Sequence, residues 1–266
     1  MSVIELRLLG GFEARVSATG TLIQLPTRKC EAVLAYASLD PGRSIRRELL
    51  VSLLWADVPR GQGRHSLRQT LTKLRHALAP CGPGGLVTIS DAIRVEQNCL
   101  WVDVLEFQRL VLEPGADALP RAIDHYRGPF LDGFVIPEEA FEEWMMNERT
   151  RLRQLAIDAC AAQLKALEDR NDVPAAIRVA IKLLELEPLH EEVHRRLMVL
   201  YWRNGQTRSA LNQYEVCARR LKHAFGAEPS SATVALYREW LLKYNRMDPP
   251  SDSMFRRGDR RNLTPG

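Results

Sequence analysis

Two short stretches of the 266-residue chain carry side chains whose types and spacing could do chemistry. In RHSLRQTLTKLRHAL, residues 64–78, the leucines Leu67, Leu71, Leu74 and Leu78 fall at the spacing of one helical stripe. At about 100° per residue, His65, Gln69, Thr72, Lys73 and His76 lie roughly opposite that stripe, with Arg64, Arg68 and Arg75 on one flank. No Asp or Glu occurs in the stretch. A merely solvated helix face usually mixes both signs of charge, so an all-basic and amide face points to a polyanion, against the bland reading of a solvated surface. Arg and Lys offer paired donors or a point charge to guanine and phosphate, and Gln69 has the donor and acceptor that adenine presents.

The second stretch, His190-Glu191-Glu192-Val193-His194, satisfies H-E-x-x-H, which on a helix sets two imidazoles on one face for zinc, with a Glu as general base. That chemistry would make the chain a metallohydrolase. Against it, the motif starts just after Pro188-Leu189, where Glu191 and Glu192 suit a helix N-terminus. An ordinary amphipathic helix here needs Val193, Leu197 and Leu200 inward, with the His and Glu outward. A third ligand is not evident either, since Glu215 stands on a later helix without special context. The sequence is therefore read as holding no metal, no cofactor and no catalytic residues. It has no G-x-x-x-x-G-K-[ST], G-x-S-x-G or dinucleotide fingerprint. His125 and His223 are isolated, and the five tryptophans read as packing anchors.

The elements around the basic helix decide what it can reach. VIELRLLGGFEARV alternates apolar and polar residues and, with TLIQL, predicts short strands of a small antiparallel sheet. Thr27 is placed to cap a helix over RKCEAVLAYASL that stops at Asp40-Pro41-Gly42. Ser44 then caps RRELLVSLLWA, with Leu49, Leu50, Leu53 and Leu54 buried, and DVPRGQG is a loop. After the flexible CGPGG, LVTIS and AIRVE predict a hairpin. Strands, three helices and a closing hairpin make the pattern of a winged helix, with the third helix offered to the major groove.

From Trp101 the strand signals stop and helical patterns take over. RNDVPAAI at 170–177 matches RNGQTRSAL at 203–211 at an offset of 34, pairing Ala176 with Ala210 and Ile177 with Leu211. That is the length of a tetratricopeptide hairpin. Both units run on into Glu-Pro, at Glu187-Pro188 and Glu228-Pro229, and the helices of FEEWMMNERTRLRQLAIDACAAQLKAL are expected to stack before them. The expected organisation is an α+β winged helix over 1–100, an all-α repeat domain over 101–245, and a disordered Arg-rich tail over 246–266.

Charge supports that division. Residues 1–100 carry 13 Lys and Arg against 8 Asp and Glu, whereas residues 101–245 carry 19 against 22. Chance fluctuation is the alternative reading of so small a difference, but a basic N-terminal part suits phosphates. MSVIELRLLG is interrupted by Glu5 and Arg7, and no apolar run approaches a membrane span. Five widely spaced cysteines without a Cys-x-x-Cys pair suit reduced thiols, so the expected location is the cytoplasm.

LRLLGGFEARV, LPTRKCEAVLAYASLDPGRSIRRELLVSLLW and RHSLRQTLTKLRHAL resemble the DNA-binding domain of the Streptomyces antibiotic regulatory protein family, an OmpR-type winged helix. VDVLEFQRL, FLDGF, FEEWMMNERTRLRQLA, LELEPLHEEVHRRLMVLYWRNGQTRSALNQYE and FGAEPS resemble that family's bacterial transcriptional activation domain. The resemblance spans residues 3 to about 243. It implies a transcriptional activator that binds directly repeated sites on double-stranded DNA near promoters, pairs head to tail there and recruits RNA polymerase. On the matching helix, Arg64, His65, Arg68, Gln69, Thr72 and Lys73 are the candidates to touch DNA, while Arg64 and Arg75 also fit a role snorkelling along the core edge. Arg94 aligns with the family's wing, where the usual Gly and Tyr are missing, and suits either a minor-groove contact or a phosphate. The family's polymerase-contacting loop would fall at 56–63, which is short and holds only Asp57 and Arg60 as charges. Two rivals stand beside this reading: an interaction scaffold whose repeat groove binds a peptide, and an N-terminal piece of a larger signalling protein.

Overall fold

The structure, a computed structural model, describes residues 3–79, 85–115 and 117–247. Most of the expected Arg-rich tail, from residue 248, and the CGPGG link through residue 84 lie outside the described residues. Arg246 and Met247, expected in the tail, still belong to the last helix. The described residues are mostly helical, with ten α-helices and two three-stranded sheets. They form two compact units, to Gln163 and from Leu164.

In the first unit, β1 (Ile4–Arg7) and β2 (Glu13–Val16) pair antiparallel, as their alternation requires. TLIQL does not form the expected strand and contributes only a bridge between Arg15 and Leu22. The third strand of this sheet is β6 (Leu100–Val102), parallel to β1. Strand signals therefore do not end at Trp101, and the boundary read between residues 100 and 101 lies inside β6. A three-residue strand has no periodicity of its own to read. The buried Asp103, which opens α4 (Asp103–Leu112), ties that helix to β1: its carboxylate accepts the Leu8 and Leu9 amides at 2.8 and 3.0 Å. Burial pushes this carboxyl above the usual range, and the two amides and Arg127 oppose the shift.

Thr27 caps α1 (Arg28–Ser38) as expected, accepting from the Cys30 amide at 3.2 Å. Ser44 does not cap the next helix. Residues Ile45 and Arg46 form β3 instead, pairing with Ile93 and Ala92 of β5 (Ala92–Arg94), and β5 pairs with β4 (Val87–Ile89). Helix α2 (Arg47–Leu54) buries Leu50, Val51, Leu53 and Leu54, but Leu49 is 44% exposed, contrary to the leucine pattern. The third helix, α3 (Arg60–Leu78), starts earlier than its leucines suggest and absorbs the RGQG expected as loop. Gly63 permits its close packing, because a Cβ there would meet Val51 Cγ1 at 2.8 Å. Helices α4, α5 (Ala118–His125) and the start of α6 (Glu139–Asp169) complete the unit. Trp144 packs its ring against Tyr36, Phe130 and Phe141 with centroids at 4.9–5.7 Å.

In the second unit, α8 (Glu191–Arg203) packs against α7 (Val173–Leu186) and α9 (Thr207–Phe225), and α10 (Ser231–Met247) packs against α9. The 34-residue offset aligns the starts of α7 and α9. Asn171 at φ +59° matches Gly205 at φ +74° in the preceding turn, and Ala176 and Ala210 are fully buried at equivalent points. Each Glu-Pro lies between helices. The four cysteines in the described residues are buried, and burial pushes the Cys217 thiol up to about 11.

Candidate nucleic-acid interface

Helix α3 places its side chains by burial of the leucine stripe. Leu67, Leu71, Leu74 and Leu78 are at most 2% exposed, and at 25 cal/mol per Å² each such burial contributes roughly 2 kcal/mol. With that edge fixed, Arg64, His65, Arg68, Gln69, Thr72 and Lys73 all lie exposed on the same helix. No acidic residue occurs along α3, and Arg75 and His76 in its last turn complement the helix dipole.

The exposed side chains differ in what already occupies them. Arg64 pairs with Glu48 of α2. The Gln69 amide donates to His65 Nε2 at 2.9 Å when that nitrogen is unprotonated, which leaves its second N–H and its oxygen to serve a base. Thr72 donates its hydroxyl to the Arg68 carbonyl at 3.0 Å, which leaves its lone pairs and methyl outward. The side chains of Arg68 and Lys73 have no polar partner among the described residues.

The β4–β5 hairpin stands beside the end of α3, held by Arg75, which donates to Thr88 Oγ1. Arg75 and Arg64 are exposed, and their guanidinium groups are engaged by polar partners. The hairpin is tied from the other side by the Arg47 amide, which donates to the Asp91 carbonyl at 2.9 Å. Ser90 turns the chain at φ +49°. Arg94 is half-buried and donates to Glu96 at 2.7 and 3.0 Å, so its charge is already paired. Ile89 is 40% exposed at the tip. Sequence reading missed Ile89, because an apolar residue in an alternating strand reads as inward until the register is known.

The H-E-x-x-H motif is built differently from the outward pattern its helix suggested. His194 is 1% exposed: its Nε2 lies 3.0 Å from the Pro188 carbonyl and its Nδ1 lies 2.6 Å from Gln213 Nε2. This corrects the expectation that both histidines face outward. With Nε2 protonated and Nδ1 accepting from Gln213, neither nitrogen is left to share a ligand with the exposed His190. Burial pushes the imidazole below its usual range. Glu191 is likewise taken up, accepting from the Ser230 amide at 2.8 Å and from the Thr233 hydroxyl at 2.6 Å. Among the described residues no cluster of three or more His, Cys, Asp or Glu could hold a metal. No helix there is long and apolar enough to cross a membrane.

The model of the bacterial transcriptional activator domain matches residues 102–241. The chain is 25% identical over 270 residues to the transcriptional regulatory protein MoaR1 of Mycobacterium tuberculosis, covering 92% of this chain and 81% of that protein. It is 26% identical over 271 residues to the transcriptional regulator RedD of Streptomyces coelicolor, covering 93% and 73%. The solved structure of Mycobacterium tuberculosis EmbR in complex with a low affinity phosphopeptide shares the fold, with a TM-score of 0.64 at 22% identity over 91% of this chain and 66% of that one.

Proposed function

The chain belongs to the bacterial transcriptional activator domain family, among the Streptomyces antibiotic regulatory protein type of transcription regulators, and on that premise we propose that it is a sequence-specific DNA-binding activator. In this reading the elements up to β6 act as a winged helix, with α3 in the major groove and the β4–β5 hairpin as the wing. The helices of the second unit act as a tetratricopeptide-like array. The protein binds directly repeated sites in head-to-tail pairs, contacts RNA polymerase in the cytoplasm, and works by binding rather than by catalysis.

The observation that carries the reading is the face of α3: a helix without acidic residues, fixed by a buried stripe, with Arg68 and Lys73 unpartnered among the described residues. Affinity then comes mainly from phosphate contacts and sequence choice from a few residues of α3. The test is selection of fragments of the source genome at near-physiological salt, with an Arg68→Ala/Gln69→Ala variant alongside. Enrichment of a repeated motif by the wild type, lost in the folded variant, is the expected result. Retention without a motif, or a variant that behaves as wild type, would instead favour a scaffold that has lost base readout.

A further inference from the structure

Within the first unit, a half-open groove of about 880 Å³ runs alongside α2, and its lining holds the one leucine of that helix that is not buried. We propose that this groove binds a small organic anion with an aromatic or aliphatic body.

The volume is that of sites which enclose small molecules, and such sites are mainly apolar with a few placed polar groups. Here the apolar wall is made by Tyr36, Trp144, Trp55 and Leu49. The Tyr36 and Trp144 rings pack at 4.9 Å, and Trp144 is held in turn by Phe141 at 5.0 Å, so this wall is fixed before any ligand arrives. Leu49 is 44% exposed, which leaves apolar surface inside a concave lining where a ligand would remove it from water.

Charge gives the sign of the ligand. Each acidic side chain of the lining is already paired: Asp40 with Arg43 at 3.4 Å, Glu48 with Arg64, and Glu148 with Arg151 at 2.6 Å. Arg46 and Arg60 also line the groove and have no acidic partner among the described residues. Two spare guanidinium groups at the rim of an aromatic wall fit a carboxylate, sulfonate or phosphate attached to an apolar body. A neutral ligand leaves both cations unanswered, and a cationic one is repelled.

The experiment is a titration of the full chain, without DNA, with 1-naphthalenesulfonate, followed by calorimetry and by tryptophan fluorescence. Because DNA is absent, the result is independent of the reading of α3. Saturable binding at one site is expected, about ten-fold tighter than for the neutral 1-naphthalenesulfonamide. The Arg46→Ala/Arg60→Ala variant should lose that preference, and Leu49→Asp should weaken both ligands about ten-fold. All three positions are exposed, so the variants should fold, as circular dichroism would verify. Absence of saturable binding, equal affinity for the two probes, or unchanged affinity in the folded variants would each overturn the proposal.

Discussion

Helices α3 and α8 both carry motifs rich in functional side chains, and they differ in what those side chains already do. On α3 the leucine stripe satisfies the core and leaves the basic face to solvent, with Arg68 and Lys73 uncommitted among the described residues. On α8 the polar atoms are consumed internally: His194 by Pro188 and Gln213, Glu191 by Ser230 and Thr233. A motif predicts chemistry only where its atoms keep spare valences. The same residue types are therefore left to solvent on one helix and spent on packing on the other.

The comparison makes opposite predictions for truncation on the two sides of α3. Leu71→Ala removes a side chain that is 1% exposed and should destabilise the chain by about 2–5 kcal/mol. Arg68→Ala, on the exposed face, should stay within about 0.5 kcal/mol of wild type. Chemical denaturation measures both. A large loss for Arg68→Ala would show that the basic face is structural after all.

On α8 the polar residue is the structural one. His194→Ala empties a buried position and removes the partner of the half-buried Gln213 amide, while the Pro188 carbonyl keeps Arg220 at 3.3 Å, and should cost about 1–3 kcal/mol. The imidazole is held below its ordinary 6.5, mainly by burial, with Arg220 and His190 opposing its charge and Glu191 favouring it. The unfolded chain therefore takes up the proton first, so this contribution is present above about pH 6.5 and is lost as pH falls towards the lower folded value. Wild type should lose stability on acidification through that window, and His194→Gln should flatten the loss. An unchanged pH profile in the glutamine variant would mean that His194 is not the group that titrates.

How much of this was legible in the sequence follows from the range of the interactions involved. The stripe of α3, the Thr27 cap and the 34-residue repeat are local patterns, and each has its counterpart in the structure. Parallel pairing of Leu100–Val102 with β1 and the loss of Ser44 as a cap depend on strands distant in sequence, which no local pattern encodes. Leu49 was misplaced because four leucines in LL-x-x-LL cannot all face one side, and Val51 takes the fourth core position. His194 was misplaced for a similar reason: a helix whose stripe is Val193, Leu197 and Leu200 also turns position 194 inward, and the Pro188 carbonyl and Gln213 give the imidazole partners there. The chemistry of α3 was readable as a type of face, but which of its residues is free was not, since Arg64, Gln69 and Arg75 are occupied by partners on α2, α3 and β4.

That distinction between free and occupied cations supplies the finest test. If α3 and the wing meet DNA, Lys73→Ala removes an uncommitted charge and should reduce the salt slope of binding by about one phosphate contact, with little change in sequence preference. Arg94 is only part-exposed and already spends two nitrogens on Glu96, so a phosphate would share its charge with that carboxylate. Arg94→Ala should therefore change the slope by less than Lys73→Ala, and should cost no more than about 1 kcal/mol in stability, as expected for a surface pair. Affinities measured over a salt series for both variants decide the order. An Arg94 effect as large as that of Lys73 would mean that the wing exchanges its internal pair for DNA on binding, and that occupancy in the free protein is a poor guide to which cations make contact.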